Sequence, residues 1–355
     1  MSTNYYKTRD IENIEKLRAV IKELPEFCGQ FFTGIESSTT VLTRLNYALD
    51  LRLFFHFLAH ETRYFSGILP SDFCIRDMDK VTPEHLEQFL SYLNSYTVGG
   101  RCRTNGDRGK ARKLSTVRAF FKYFFNKNLL TANVAAKVNQ PKIREKEIIR
   151  LEGEEISGII ENAETGKLLT PRQNAYNRKT AKRDAAILTL LLGTGIRVSE
   201  LVGLNVPDFD FSNNSFTVTR KGGNRVILYF SEEVAAALIS YIEEREKNKN
   251  LSPDEKSLFL SLQNQRIGVR AVQNLVKKYG KTAAPLKNIS PHKLRSTYGT
   301  NLYRATQDIY IVAEVLGHKD VNTTKKHYAA MSEDIRKAAA DKVTLREDSE
   351  KNDKK

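Results

Sequence analysis

A chain of 355 residues is too long for one ordinary domain and suits two, each able to bury its own core. Its 40% apolar content is that of a globular protein and sets aside disordered and membrane chains. Lysine and arginine outnumber aspartate and glutamate by 57 to 42, and the net charge of +15 points to a polyanionic partner, although a basic enzyme without one has the same balance. No stretch approaches the ~20 apolar residues of a membrane span; the densest run, Ala185 to Leu192, is short and includes Thr189. The N-terminus has no apolar segment behind a basic start, as a signal peptide would. Cys28, Cys74 and Cys102 are odd in number and never form a C-x-x-C pair, which argues against a disulfide framework and a zinc site and fits reducing cytoplasm.

Residues 1–36 read as an N-terminal helical extension and connector. The run Ser37-Ser38-Thr39-Thr40 offers N-caps for a helix carrying Leu45, Leu49, Phe54 and Phe57. Thr82 and Pro83 start a second helix to about Leu93, with Leu86, Phe89, Leu90 and Leu93 on one face. The third runs from Ser115 to about Asn126 and carries Val117, Phe120, Phe121 and Phe124. No strand is expected here, so residues 37–138 read as an all-α domain. The loop between the last two helices holds Arg101, Arg103, Arg108, Lys110, Arg112 and Lys113 against the single acid Asp107. Such a loop suits DNA phosphates; a charge run is equally often a solvated surface.

Residues 139–150, polar and charged with one proline, read as a linker. A second domain, 151–345, opens with a helix from Gly153 to about Asn162. Ala181 to Leu192 follows as a buried helix ended by Gly193 and Gly195. Ser215–Thr219 and Arg225–Phe230 alternate around a Lys221-Gly222-Gly223-Asn224 turn, which is a hairpin. Helices are expected at 232–246, 269–279, 291–303, 309–316 and 333–343, and the charged tail 346–355 reads as disordered.

In Ser290-Pro291-His292-Lys293-Leu294-Arg295, serine at the N-cap and proline at the first position start a helix that puts His292 and Arg295 on one face. Polar groups near a positive helix end suit an anion such as phosphate, although H-x-x-R alone is more often a solvent-facing pair. Downstream come Leu316-Gly317-His318 and then Thr323-Thr324-Lys325-Lys326-His327-Tyr328; upstream, Thr194-Gly195-Ile196-Arg197-Val198-Ser199-Glu200-Leu201 sets Arg197 on a glycine turn with Glu200 available as an ion-pair partner.

Taken in order, Arg197, a lysine at a hairpin turn, H-x-x-R, L-G-H and a final tyrosine resemble the tyrosine recombinase (phage integrase) family, of simple Xer-like type, over nearly the whole chain. Ser115-Thr116-Val117-Arg118 is similar to that family's core-binding domain. The resemblance implies a mainly α fold with a small antiparallel β-sheet, in a two-domain architecture of helical core-binding domain plus mixed catalytic domain. It implies Arg197 and Arg295 clamping the scissile phosphate, His292 assisting proton transfer and His318 donating a hydrogen bond. Lys221 would protonate the leaving 5′-oxygen and Tyr328 would attack, giving a 3′-phosphotyrosine link; Glu200 would orient its neighbours. The interval from His318 to Tyr328 is one residue longer than the commonest family spacing, but Tyr328 is the only tyrosine after His318.

The chemistry explains the residue types. A free phenol, with pKa ~10, is barely ionised near neutrality, and nearby cations favour its phenolate. Covalent capture conserves the phosphodiester energy, so no ATP is required. Consistently, Gly280-Lys281-Thr282 lacks the first glycine of a P-loop, Leu275 standing there. No cofactor and no metal are expected, arginines taking the metal's role; Asp208 and Asp210 flank Phe209 with no third carboxylate. The expected partners are a specific double-stranded DNA site and three further copies of the chain in a tetramer, with room for an accessory protein, in the cytoplasm at the nucleoid. The competing readings are a type IB topoisomerase and a catalytically inactive DNA-binding protein.

Overall fold

The computed structural model describes residues 5–143, 149–220, 223–317 and 321. The chain divides into two compact units, Thr3–Lys146 and Glu147 onward. It is mainly helical with small antiparallel sheets.

The first unit is built around α3 (Val41–Glu61), whose buried residues occur on every side of the helix, the pattern of a central helix. Thr40 starts it by accepting a bond from the Thr43 amide at 3.2 Å. Before it, α1 (Tyr5–Ile21) packs along α3, and α2 (Cys28–Gly34) buries Cys28, Phe31 and Phe32. The segment 1–36, expected as an extension, therefore contributes Leu17, Val20 and Phe31 to the same core. After α3 come α4 (Ile75–Met78) and α5 (Pro83–Tyr92), the latter capped by Thr82 and begun by Pro83. Phe31, Phe54, Phe55, Phe89, Phe120, Phe121 and Phe124 are fully buried, many of them edge to face, the arrangement favoured by ring quadrupoles.

Two expectations for this unit need correction. It is not all-α: β1 (Tyr96–Val98) and β2 (Arg101–Arg103) form an antiparallel hairpin. Its turn residues Gly99 and Gly100 have φ of 59° and 71°, the left-handed pair that a tight two-residue turn requires. Three-residue strands are too short to show an alternating pattern. Nor does the last helix begin at Ser115: α6 spans Asp107–Asn126. The basic run hid its first two turns, because lysine and arginine are good helix formers. Asp50 of α3 anchors those turns, accepting from Arg112 at 2.5 and 2.8 Å and from Thr116 at 3.0 Å, with Lys113 at 3.6 Å.

In the second unit α7 (Gly153–Thr165), α8 (Pro171–Asn177) and α9 (Ala181–Thr194) come first. Ala185 through Leu191 of α9 are all buried. Around α9 pack α7, α11 (Glu232–Glu246) and α13 (Pro291–Thr306). Between them in sequence lie α10 (Val198–Leu201), the strands β3 (Phe209–Asp210), β4 (Ser215–Thr219) and β5 (Arg225–Tyr229), and α12 (Val269–Ala283); α14 (Ile309–Leu316) closes the described chain. The sheet order is β3-β4-β5. Phe216 pairs with Leu228 and Val218 with Val226, and Phe216 and Val218 point inward, as the alternation predicts. Helices α12 and α13 run longer than expected, whereas α11 and α14 match; the expected helix 333–343 and tail 346–355 lie outside the described residues.

The stretch between Lys167 and Arg183 takes part in a buried polar network. Asn177 of α8 donates to the Ala163 carbonyl at 2.7 Å and the Tyr279 hydroxyl at 3.0 Å; Tyr279 donates to Asp184 at 2.8 Å. Burial, reinforced by the Asp184 charge, pushes the Tyr279 phenol up, so it stays protonated and remains a donor. Asp208 and Asp210 bond their own turns, and no group of metal-binding side chains occurs among the described residues.

Asp50 is the network to test, since its carboxylate is 3% accessible and serves three side chains. Asp50→Ala is expected to destabilise the chain by about 3 kcal/mol, the low end for breaking a buried pair, because Arg112 can turn to water. Urea denaturation followed by circular dichroism measures it; an unchanged midpoint would show that α6 is held by its apolar face alone.

Candidate active site

Arg197, Arg295 and the end of α14 meet at one place in the second unit. Gly195 ends α9 in the left-handed conformation, with φ of 62°. A side chain there would collide with the Tyr298 ring and with Leu316, so only glycine permits both the turn and the approach of α13 and α14. The turn delivers Arg197 to the N-cap of α10, where Glu200 accepts from the Arg197 amide and from its guanidinium, both at 2.8 Å. Glu200 is 4% exposed. The sequence offers this ion pair as the alternative to a catalytic role for Arg197; in the structure the pair is formed, and the other terminal nitrogen reaches the Gly317 carbonyl at 3.3 Å.

Helix α13 begins at Pro291 after an extended Ser290, whose hydroxyl makes no capping bond, so proline's fixed φ is the stronger start signal here. His292 is exposed in its first turn and Arg295, one turn on, is 6% exposed. The pair therefore does not simply face solvent. Arg295 donates to the Gly195 carbonyl at 2.6 Å and to the Leu316 carbonyl. Tyr298 and Leu302, on the neighbouring face, pack on Val312 and Leu316 of α14. Gly317 ends α14 at φ 62° and leads directly to His318.

A third arginine joins them. Arg220, at the end of β4, donates to the carbonyls of Glu314 at 3.2 Å and Val315 at 2.6 Å. Four consecutive carbonyls, from Glu314 to Gly317, thus each accept from a guanidinium. The negative end of a helix attracts such cations. Burial lowers the Arg220 pKa, Glu200 and Glu314 opposing that effect and Arg197 adding to it. Sequence reading passes over Arg220, because the strand's alternation and the adjacent Lys221 draw attention from it.

Of the expected site residues, the structure brings Arg197 and Arg295 together with the start of α13. Lys221, His318 and Tyr328 lie outside the described residues, each of the first two adjoining a described one, Arg220 and Gly317. The six basic residues of the first unit do not form one loop, as expected from sequence. Arg101 and Arg103 lie on β2 and Arg108, Lys110, Arg112 and Lys113 on α6. Arg101, Arg103 and Arg108 are exposed and form no ion pair among the described residues. Lys110 bonds Asn94 at 2.5 Å. Lys113 is a correction: it is 8% exposed, bonds Asn105 at 3.2 Å and faces Asp50, which makes it part of the unit's interior. The first unit also has a cavity of about 510 Å³ between α3, the hairpin and α6, lined by Arg52, His56, Arg103 and Arg112 among others.

The arrangement is a cluster of three guanidiniums gathered at the carboxyl end of one helix. The phage integrase family model matches residues 150–334, and the chain belongs to that family. Its relatives include the tyrosine recombinase XerC of Caldanaerobacter subterraneus subsp. tengcongensis, 33% identical over 321 residues that span 89% of this chain and 85% of the relative. XerC of Thermodesulfovibrio yellowstonii is 32% identical over 272 residues, 75% of this chain and 84% of the relative. Among solved structures, XerH recombinase in a post-cleavage complex with palindromic difH substrate covers 85% of this chain and 80% of its own, with a TM-score of 0.62 and 22% identity. A lambda integrase dimer bound to a core site gives 0.59 over 84% of this chain and 95% of its own, at 16% identity. At those identities the two structures speak for the fold.

Glu200 gives a test of how firmly Arg197 must be held. Glu200→Ala removes both acceptors, and the guanidinium is expected to lose its place, slowing strand cleavage by about 100-fold, the scale on which a misplacement near 1 Å acts. DNA affinity in a gel shift should change by no more than about twofold, since Coulombic attraction persists. Single-turnover cleavage at the rate of the unaltered protein would show that Glu200 does not orient Arg197.

Proposed function

We propose that this protein is a site-specific DNA recombinase that cuts and rejoins duplex DNA through a 3′-phosphotyrosyl intermediate, without metal or ATP. The observation that carries the reading is the convergence of Arg197 and Arg295 on the carbonyls of Leu316 and Gly317, one residue before His318. Two planar guanidinium forks suit the non-bridging oxygens of a phosphodiester and the charge that grows on them in the pentacoordinate transition state.

In this reading Tyr328 attacks the phosphorus, His292 assists transfer of the phenolic proton, and His318 donates a hydrogen bond to the phosphate. Lys221 supplies the proton that the departing 5′-oxygen needs. The reverse sequence, with the 5′-hydroxyl of another strand attacking the phosphotyrosine, rejoins the DNA. Tyr298 does not suit the nucleophile's part, because burial pushes its phenol up and keeps it protonated.

The linker of this reading is residues 139–150, joining a core-binding domain, 37–138 with the helices of 1–36 that share its core, to the catalytic domain, 151–345. Arg101, Arg103, Arg108, Lys110 and Arg112 are its phosphate contacts; each contributes charge, not base readout. Because two duplexes are cut at two strands each, the working form is a tetramer on paired sites, at the nucleoid in the cytoplasm, with or without an accessory protein. Among the described residues no helix is long and apolar enough to cross a membrane.

A nicked suicide substrate, which loses a short strand on cleavage and cannot be resealed, tests the reading. The protein is expected to form a covalent DNA adduct equally well with and without a chelator. Tyr328→Phe is expected to abolish the adduct while leaving the gel shift intact. An adduct formed by Tyr328→Phe, or one suppressed by the chelator, would end the proposal.

A further inference from the structure

The segment from Thr165 to Arg183 is a part of the second unit that the proposed chemistry leaves unused. It carries six cations, Lys167, Arg172, Arg178, Lys179, Lys182 and Arg183, and no acid. Three of these have acidic company: Lys167 pairs with Glu161 at 2.9 Å, Arg183 pairs with Asp184 at 2.8 Å, and Lys182 borders a hollow that Glu164 also lines. Arg172, Arg178 and Lys179 are exposed and form no ion pair among the described residues. Between Ala163 and Ala185 no apolar side chain is buried, so the segment adds nothing to the apolar core. It is nonetheless firmly placed. The Leu168 amide donates to Asn162 at 2.9 Å and the Thr180 hydroxyl donates to Asp184 at 3.1 Å. Asn177, 2% exposed, bonds Ala163 and Tyr279. A buried polar network whose partners are all made specifies one arrangement. What it holds in place is a face turned outward. Residues three and four apart share a side of a helix, so Arg172, Tyr176 and Lys179 form one row, opposite the buried Asn177. The Lys179 amide continues the turn by donating to the Tyr176 carbonyl at 3.1 Å, and Tyr176 is 54% exposed.

We propose that this row, with Arg178 at its flank, is a second DNA contact of the catalytic unit, binding phosphates of the same duplex away from the cleaved one. The inference rests on the reading of the protein as a recombinase and adds a place where that DNA is held. Protein partners favour interface cores rich in apolar side chains and poor in charge, whereas DNA interfaces are polar and strongly positive. Three cations around one tyrosine match the second kind. The guanidiniums and the ammonium meet phosphate oxygens, and the phenol donates to a further one. The reach matches as well. Helix α8 precedes the first turn of α9 and Arg197 follows its last, and the 14 residues of α9 span ~21 Å at ~1.5 Å each. One duplex covers that distance in about six base pairs, at ~3.4 Å per step along a strand. Contacts of this kind read no base, so the row adds affinity and orientation rather than sequence choice.

The test uses a random-sequence duplex several helical turns long as the probe. The chain has no tryptophan, so Tyr176→Trp places a single reporter in the row. Acrylamide quenching of that tryptophan is expected to fall when the duplex saturates the protein, because the ring is then covered. Combined replacement Arg172→Gln, Arg178→Gln and Lys179→Gln is expected to flatten the slope of log affinity against log salt by about two, each phosphate contact being worth roughly 0.9. The control removes the same charge elsewhere in the unit, at the exposed Lys247, Lys249 and Lys256, each to Gln, and should leave the slope nearly as it was. An unchanged slope in the row variant, or an equal loss in row variant and control, would overturn the proposal. So would quenching that DNA leaves unaltered. Quenching that falls as protein concentration rises without DNA would assign the row to a second copy of the chain and remove DNA from it. Circular dichroism follows the fold, and an unfolded row variant would show these residues to be structural and count against the proposal. None of these readouts needs cleavage. A failure to form the suicide-substrate adduct would end the recombinase reading, while slope and quenching still decide whether the row holds DNA.

Discussion

The end of α14 is the fixed point of the catalytic unit. A helix that stops leaves carbonyls turned outward and a partial negative charge, and here three arginines from three different elements answer it. Arg197 comes from the glycine turn after α9, Arg220 from β4, and Arg295 from the interior of α13. None of these segments adjoins another in sequence. Their common anchor is electrostatic, and it gathers three positive charges at one helix end.

Holding three like charges close together is unfavourable unless each is compensated. Glu200 is the compensating acid for Arg197, lying almost without exposure behind it. Carbonyl dipoles do the rest, for Arg295 through Gly195 and Leu316. Because these are dipoles and not full charges, they orient the guanidiniums without neutralising them. The cluster thus keeps its net positive character while its geometry is set in advance. Tyr298 and Leu302 complete the device by packing α13 on α14, so that apolar contact holds together the two helices that carry Arg295 and the carbonyls it serves.

Much of this was legible in the order of residues. The glycines before Arg197 and His318, proline at the start of α13 and the Lys221 turn each announce a local conformation, and local conformations are what single sequences report well. Long-range bonds are another matter. That Arg295 faces carbonyls about a hundred positions upstream and twenty-one downstream, or that Arg220 touches α14 at all, depends on packing that no periodicity encodes. The hairpin at Tyr96–Arg103 was lost because its strands are three residues long, and the early turns of α6 because a basic stretch reads as readily as a loop as a helix. Asp50, seated mid-helix among phenylalanines, was the clue that basic residues elsewhere must come to meet it.

Gly317 answers to two demands at once: a left-handed backbone and the room taken by an arginine from another strand. Asparagine tolerates the first demand, but its Cβ would push the Arg220 guanidinium, the mobile end of a long side chain, off the Glu314 and Val315 carbonyls. What glycine preserves at this position is therefore the tie between the end of β4 and the end of α14, rather than space that nothing could vacate.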